Sequence, residues 1–348
     1  MEKIVKQVAA IDVDQKLLVT TLGRMYDDWS PELYAQKTFS NTSKGIGSLL
    51  EWVKENTVSE VAVRFVMEAT GVYHEQLACF LDDNKEELTV VLPNKISNYM
   101  RTLEVKTITD KTSSEAIAKF GLERKLELWK RPKPIYKQLR QLTRERDQLI
   151  AERTTVKNQL HAEQVEAEPN KSSLARIKAR IKMLDKQAQE IKVELSALIA
   201  SNEEIKKIVV LLCSLSGVGI LTSAAVLGET NGFELVRNRR QLASYAGFDV
   251  KEKQSGTSVR SKPKISKKGN KYLRKCMHLP ALSAIRHDER FKAVFIRIVS
   301  RHGIKMKAVV AVQRKLLEMM FTLYKTNTKY DKEYSNIKTI QKEVTLST

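Results

Sequence analysis

Val61-Ala62-Val63-Arg64-Phe65-Val66-Met67 is a short, almost unbroken apolar run that ends in Glu68-Ala69-Thr70-Gly71. A run of that length bounded by an acid and a glycine reads as a buried strand closing on a turn. Upstream, Gln7-Val8-Ala9-Ala10-Ile11-Asp12-Val13 and Lys16-Leu17-Leu18-Val19-Thr20-Thr21-Leu22 read as two more strands joined by a tight Asp-Gln turn. Between these and the first run, residues 43–56 carry Ile46, Leu49, Leu50 and Val53 on one helical face. Downstream come a helix over about 72–81, the strand Leu88-Thr89-Val90-Val91-Leu92 stopped by Pro93, and a helix over 113–120. Strands followed by alternating helices and strands predict a mixed sheet covered by helices.

The character of the chain changes after this region. Leu174, Ile177, Ile181, Leu184, Ala188, Ile191, Leu195 and Leu198 recur at alternating three- and four-residue steps, a heptad seam among Lys, Arg, Glu and Gln. An earlier helix carries Leu139, Leu142, Leu149, Val156 and Leu160, interrupted by Arg146 and Arg153, and Glu168-Pro169-Asn170 breaks the two. This is a helical hairpin or a coiled coil, and a seam so narrow suggests self-association. From residue 205 the composition is globular again. A Gly-rich turn at Ser216-Gly217-Val218-Gly219 leads into an apolar helix, followed by a short helix near 239–245, a basic stretch over 250–275 and further helices. The expected divisions are 1–130, 131–204, 205–335 and a tail over 336–348.

With 348 residues the chain can bury two or three cores, and its 42% apolar content excludes a largely disordered polypeptide. No apolar run reaches the roughly 18 residues that span a bilayer, and the N-terminus lacks a signal-peptide core. Cys79, Cys213 and Cys276 lie far apart without a CxxC pair, which argues against a disulfide framework or structural zinc. The five histidines show no ligand spacing. A reduced, cytoplasmic protein is expected. Its formal net charge of +20 calls for a polyanionic partner.

Several groups of residues could carry chemistry. Asp12 and Glu68 end strands, and Asp110 just precedes a helix; strand ends at one sheet edge can gather distant carboxylates, the ligands Mg²⁺ prefers. Taken alone, such acids are more often caps or solvated turns. Ser255, beside Gly256 in a basic stretch, could attack a phosphodiester whose developing charge nearby cations stabilise; the bland alternative is a solvated Ser/Gly loop. Gly217 and Gly219 allow backbone amides to approach phosphate, or else let helices pack closely. Arg260, Lys262, Lys264, Lys267, Lys268, Lys271 and Arg274 form an internal run with no acid among them, and nucleic-acid contact is the better reading of it.

Ala10-Ile11-Asp12-Val13, Glu68-Ala69-Thr70-Gly71-Val72-Tyr73, Thr109-Asp110-Lys111, Ser216-Gly217-Val218-Gly219, Tyr245-Ala246-Gly247-Phe248 and Ser255-Gly256-Thr257-Ser258-Val259-Arg260 occur in that order. Together they resemble the DEDD-type insertion-sequence transposases related to the Piv invertase, a family that includes bridge-RNA-guided recombinases. The resemblance covers nearly the whole chain. It implies a RuvC-like, RNase H-fold N-terminal domain, a central coiled coil and a helical C-terminal transposase domain. It also implies Mg²⁺ on Asp12, Glu68 and Asp110, and Ser255 as a nucleophile that forms a covalent phosphoserine link to DNA. Composite sites, with acids from one protomer and serine from another, imply a dimer or tetramer, and a guide RNA is implied beside the element-end and target DNA. The family places a further aspartate three residues after the one matching Asp110, where this chain has Ser113. If the helix starts near Asp110, Ser113 and Ser114 share its face and would turn toward the metal. Competing readings are a RuvC-like metal-dependent nuclease or junction resolvase, and a non-catalytic nucleic-acid-binding relative.

Overall fold

The computed structural model describes residues 3–69, 71–103, 107–252 and 264–333, with the backbone of 254–255 and 259–260. The chain forms two compact units, Met1–Arg131 and Pro132–Thr348.

The first unit begins with strands β1 (Ile4–Val13), β2 (Leu17–Tyr26) and β3 (Pro31–Ser40), then helix α1 (Ser43–Glu55) and strand β4 (Val63–Glu68). Helix α2 (His74–Asp83), strand β5 (Glu87–Val91) and helices α3 (Pro93–Met100) and α4 (Asp110–Glu123) complete it. The sheet runs β3-β2-β1-β4-β5. Strand β2 is antiparallel to both neighbours, whereas β1, β4 and β5 are mutually parallel. That order and orientation are those of an RNase H fold.

The centre of β1, Val8 to Ile11, is continuously apolar because helices cover both faces of the sheet. Ala9, Ile11 and Val13 pack with Phe65 and Met67 against α1 and α2. Val8 and Ala10 pack with Val66 against α3 and α4. Helix α4 lies close to the strands where Gly121 stands: a Cβ there would come within 3.0 Å of Val8 and 3.1 Å of Val66. Two elements were not expected. Strand β3 starts on a proline and is mostly exposed, so it shows little apolar signal. Pro93 ends one strand and is also the first residue of α3, where a missing N–H costs nothing.

The second unit opens with α5 (Pro134–Val165) and α6 (Lys171–Ala200). Only residues 166–170 separate them, so they fold back as an antiparallel hairpin, which the ion pairs Arg153–Asp185 at 3.0 Å and Arg180–Glu152 at 3.9 Å tie together. Helices α7 (Glu203–Cys213), α8 (Ile220–Thr230) and α9 (Arg239–Ala246) follow. Next come the two-residue strands β6 (Val250–Lys251), β7 (Gln254–Ser255), β8 (Val259–Arg260) and β9 (Lys264–Ile265). Helices α10 (Lys271–Cys276), α11 (His278–His287), α12 (Glu289–His302) and α13 (Lys305–Thr326) close the unit.

The heptad seam changes along its length. Ile191, Leu195 and Ile199 join Tyr136 and Leu139 in the core shared with α7 to α13, so the hairpin base is built into the helical body. Leu174, Ile177 and Ile181, toward the tip, are only half-buried. Among the described residues no helix is long and apolar enough to cross a membrane.

Candidate functional site

Ile11 pairs with Met67 on adjacent parallel strands, so Asp12 and Glu68 come next in register at the carboxyl ends of β1 and β4. Ligand sites of open α/β sheets form outside such ends. Alternation places both acids on the sheet face that carries Val8, Ala10 and Val66, the face under α4.

Helix α4 brings the third acid. Thr109 caps it, its hydroxyl accepting from Thr112 N at 3.2 Å while the Thr112 hydroxyl accepts from Thr109 N at 2.9 Å. This reciprocal cap starts the helix at Asp110, three residues earlier than expected. Ser114, Ile117 and Gly121 follow Asp110 at four, seven and eleven residues and lie within about 40° of one helix line. Gly121 sits on Val8 and Val66, and Ser114 lies 2.8 Å from the Thr21 hydroxyl. The helix therefore runs against β1 and brings its Asp110 end toward Asp12.

The electrostatics record the same convergence. Burial, followed by the charges of Asp110, Glu68 and Asp14, pushes the Asp12 carboxyl up to about 6. Burial also raises Glu68. Among the described residues, however, no group of three His, Cys, Asp or Glu is close enough to hold one metal ion. Asp12 feels its acidic neighbours without a closed ligand set forming. Their oxygen donors and mutual repulsion suit a hard divalent cation, which would relieve that repulsion.

The hydroxyls of the first turn divide. Ser113 is half-buried beside Asp110, its amide donating to Thr109 O at 2.8 Å. Ser114 does not turn toward the acids. It is buried, donates to Lys111 O at 2.8 Å and accepts from Gln36 Nε2 at 3.2 Å. Asn41 had no signal in the sequence, yet its Nδ2 donates to Asp14 O at 2.9 Å and Tyr73 O at 3.3 Å. It ties the turn after Asp12 to the segment after Glu68.

In the second unit, Ser255 lies on a β-ribbon arm. Val250 pairs with Ile265 and Lys251 with Lys264 at its base, and Gln254 pairs with Arg260 and Ser255 with Val259 farther out. The side chains of Ser255 and Arg260, and all of Lys262, lie outside the described residues. Lys264, Lys267, Lys268 and Lys271 are exposed. Arg274 is half-buried, with Nη1 donating to Ala246 O at 2.7 Å and Gly269 O at 3.1 Å. Those bonds brace the base of the arm.

A buried acid holds that base from below. Glu229, 3% exposed on α8, accepts from Arg144 Nε at 2.6 Å and Nη2 at 2.8 Å, and from Asn270 Nδ2 at 2.6 Å. The Asn270 Oδ1 meanwhile caps α10. Tyr245 donates its hydroxyl to Glu229 O at 3.0 Å, and Arg144 lies 4.3 Å from the Tyr272 ring centre. In the glycine turn before α8, Gly217 serves packing, since it has φ +84° and a Cβ there would run into the Pro280 carbonyl oxygen of α11, whereas Gly219, the N-cap of α8, has open space around it.

Residues 26–165 match a DEDD transposase family of the IS110 group, and residues 209–295 match a transposase family described as IS116/IS110/IS902. A pilin gene-inverting protein of Moraxella bovis is 26% identical over 300 residues, covering 85% of this chain and 90% of that protein. Its Moraxella lacunata counterpart is 26% identical over 303 residues, with the same coverage of 85% and 90%. Among solved structures, T. thermophilus RuvC in complex with a Holliday junction substrate aligns over 32% of this chain and 90% of its own, at 8% identity and a TM-score of 0.25. A Ppx/GppA family member of Aquifex aeolicus aligns over 97% of this chain and 98% of its own, at 10% identity and a TM-score of 0.22. Strand order and orientation define the fold of the first unit. With Glu68 and Asp110 inside the first family match and Ser255 inside the second, the chain belongs to the DEDD-type transposases of the IS110 group.

Proposed function

We propose that this DNA recombinase cuts and exchanges strands through a phosphoserine link on Ser255, with Asp12, Glu68 and Asp110 holding Mg²⁺. The observation that carries the reading is the convergence of those acids at one sheet edge, where Asp12 is pushed up to about 6 by burial and by its acidic neighbours. Ser113 stands beside Asp110 and could hold a water, though it adds no charge. When bound, the cation would neutralise charge on the phosphodiester under attack. The serine Oγ–phosphorus bond forms as the bond from phosphorus to a deoxyribose oxygen breaks. The resulting ester keeps the strand attached until a hydroxyl from another strand reverses the step.

The family resemblance adds that the acids of one protomer and Ser255 of another would meet in a dimer or tetramer. The basic arm suits a bridge RNA or the DNA backbone. Incubation with a supercoiled plasmid carrying the element ends should give rejoined or inverted circles. A junction resolvase or nuclease would leave free ends instead.

The exposed lysines at the arm base give a quantitative check. Neutralising Lys267, Lys268 and Lys271 together should weaken duplex binding and flatten its salt dependence by up to ~0.9 log unit per lost phosphate contact. An unchanged salt slope in fluorescence anisotropy would return this stretch to a solvated loop.

A further inference from the structure

The helical unit also contains a cleft that strand exchange leaves without a task. Its volume is about 740 Å³, and it lies among α5, α8, α10, α11 and α13. That is within the roughly 300–1,000 Å³ typical of small-molecule sites. The acids on its walls are already matched: Glu229 by the fork of Arg144, and Asp147 by Lys275 at 3.2 Å. Arg146 is not. Its Nε is buried with no hydrogen-bond partner, and among the described residues no acid pairs with it. A guanidinium at a cleft with no ion-pair partner among the described residues favours an anionic acceptor brought in from outside. Arg274, spent on neutral carbonyls, leaves a further positive charge uncompensated at the same cleft.

Most of the remaining wall surface is apolar, although Thr143, Thr222, Tyr272, His278 and Gln313 also line it. Leu221 and Ala225 of α8 line it, and Leu279, 74% exposed, stands beside them. An unspent guanidinium next to an apolar wall matches a ligand with an anionic end and a flat, weakly polar body. A nucleotide has that form, and a base can reach such a wall only when it is out of a duplex stack.

We propose that this cleft takes one unstacked nucleotide of a single-stranded nucleic-acid segment, with its phosphate on Arg146 and its base against Leu221 and Ala225. The proposal rests on the nucleic-acid partner of the recombinase reading, but not on Ser255 or the carboxylates.

The test is fluorescence anisotropy of the full-length protein with a short labelled single-stranded oligonucleotide over a range of salt. Arg146→Gln should weaken binding about tenfold, one charge-assisted hydrogen bond, and reduce the salt slope by ~0.7. Leu279→Asp, at an exposed position that does not threaten folding, should weaken binding in the same direction. An oligonucleotide carrying a photoactivatable base should crosslink to peptides containing Leu221, Ala225 or Leu279. Wild-type binding that neither variant alters, with crosslinks elsewhere, overturns the cleft and leaves the recombinase reading standing. No binding by the wild type overturns both. If a free mononucleotide protects the cleft while oligonucleotide binding is unaffected, the site belongs to a small metabolite and the proposal fails.

Discussion

Asp12→Asn is expected to reduce strand exchange at least about 100-fold, because even the outer partners of a metal ligand are worth 10–100-fold. The same change should not cost stability. Burial and the charges of Asp110, Glu68 and Asp14 hold the Asp12 carboxyl at about 6 in the folded protein, above its ordinary 3.8. A raised carboxyl means that ionisation opposes folding. The penalty is absent below about 4, grows through 6 and is complete above it. In EDTA the asparagine variant should therefore melt higher than the wild type at pH 7.5 and equally at pH 4. Protons and metal compete for the same oxygens, so the Mg²⁺ needed for half-maximal exchange should fall as pH rises through about 6. A variant that keeps wild-type exchange rates would remove Asp12 from the site.

Glu229→Ala should be among the most destabilising single changes in the second unit, at about 3 kcal/mol. This is the lower end of the range for breaking a buried pair. Arg144, with its side chain 39% exposed, can recover part of its hydration, while Glu229 at 2% cannot be replaced by water without opening the core. The loss also frees Asn270, which joins the basic stretch to α10. The urea midpoint should drop, and exchange protection should fall at the base of the arm. An unchanged midpoint would mean that Arg144 and Asn270 find equivalent partners.

Much of the fold was legible because burial writes itself into composition. The centres of β1 and β4, Val8 to Ile11 and Phe65 to Met67, are covered on both faces and read as apolar runs. Strand β3 did not, since an exposed edge strand has no apolar period to detect. The heptad seam was plain, but its period alone could not say which helix would cover it: Ile191 and Leu195 are covered within the chain, while Leu174, Ile177 and Ile181 stay half-buried. Asp12, Glu68 and Asp110 could be singled out by strand ends and motif, whereas the direction of Ser114 depended on a cap that starts α4 at Asp110. Glu229 was invisible. It is a lone acid in an apolar helix, and its partners Arg144 and Asn270 lie 85 and 41 residues away.

Strand exchange through a serine ester is tested most directly by mapping the protein–DNA adduct. The full-length protein would be incubated with Mg²⁺, its co-purifying RNA and element-end DNA, then denatured, digested and analysed by mass spectrometry. The expected result is a nucleotide phosphate on Ser255 that disappears in Ser255→Ala while DNA is still bound. An adduct on Ser258 or Ser261, or cut DNA with free ends and no adduct, would contradict it.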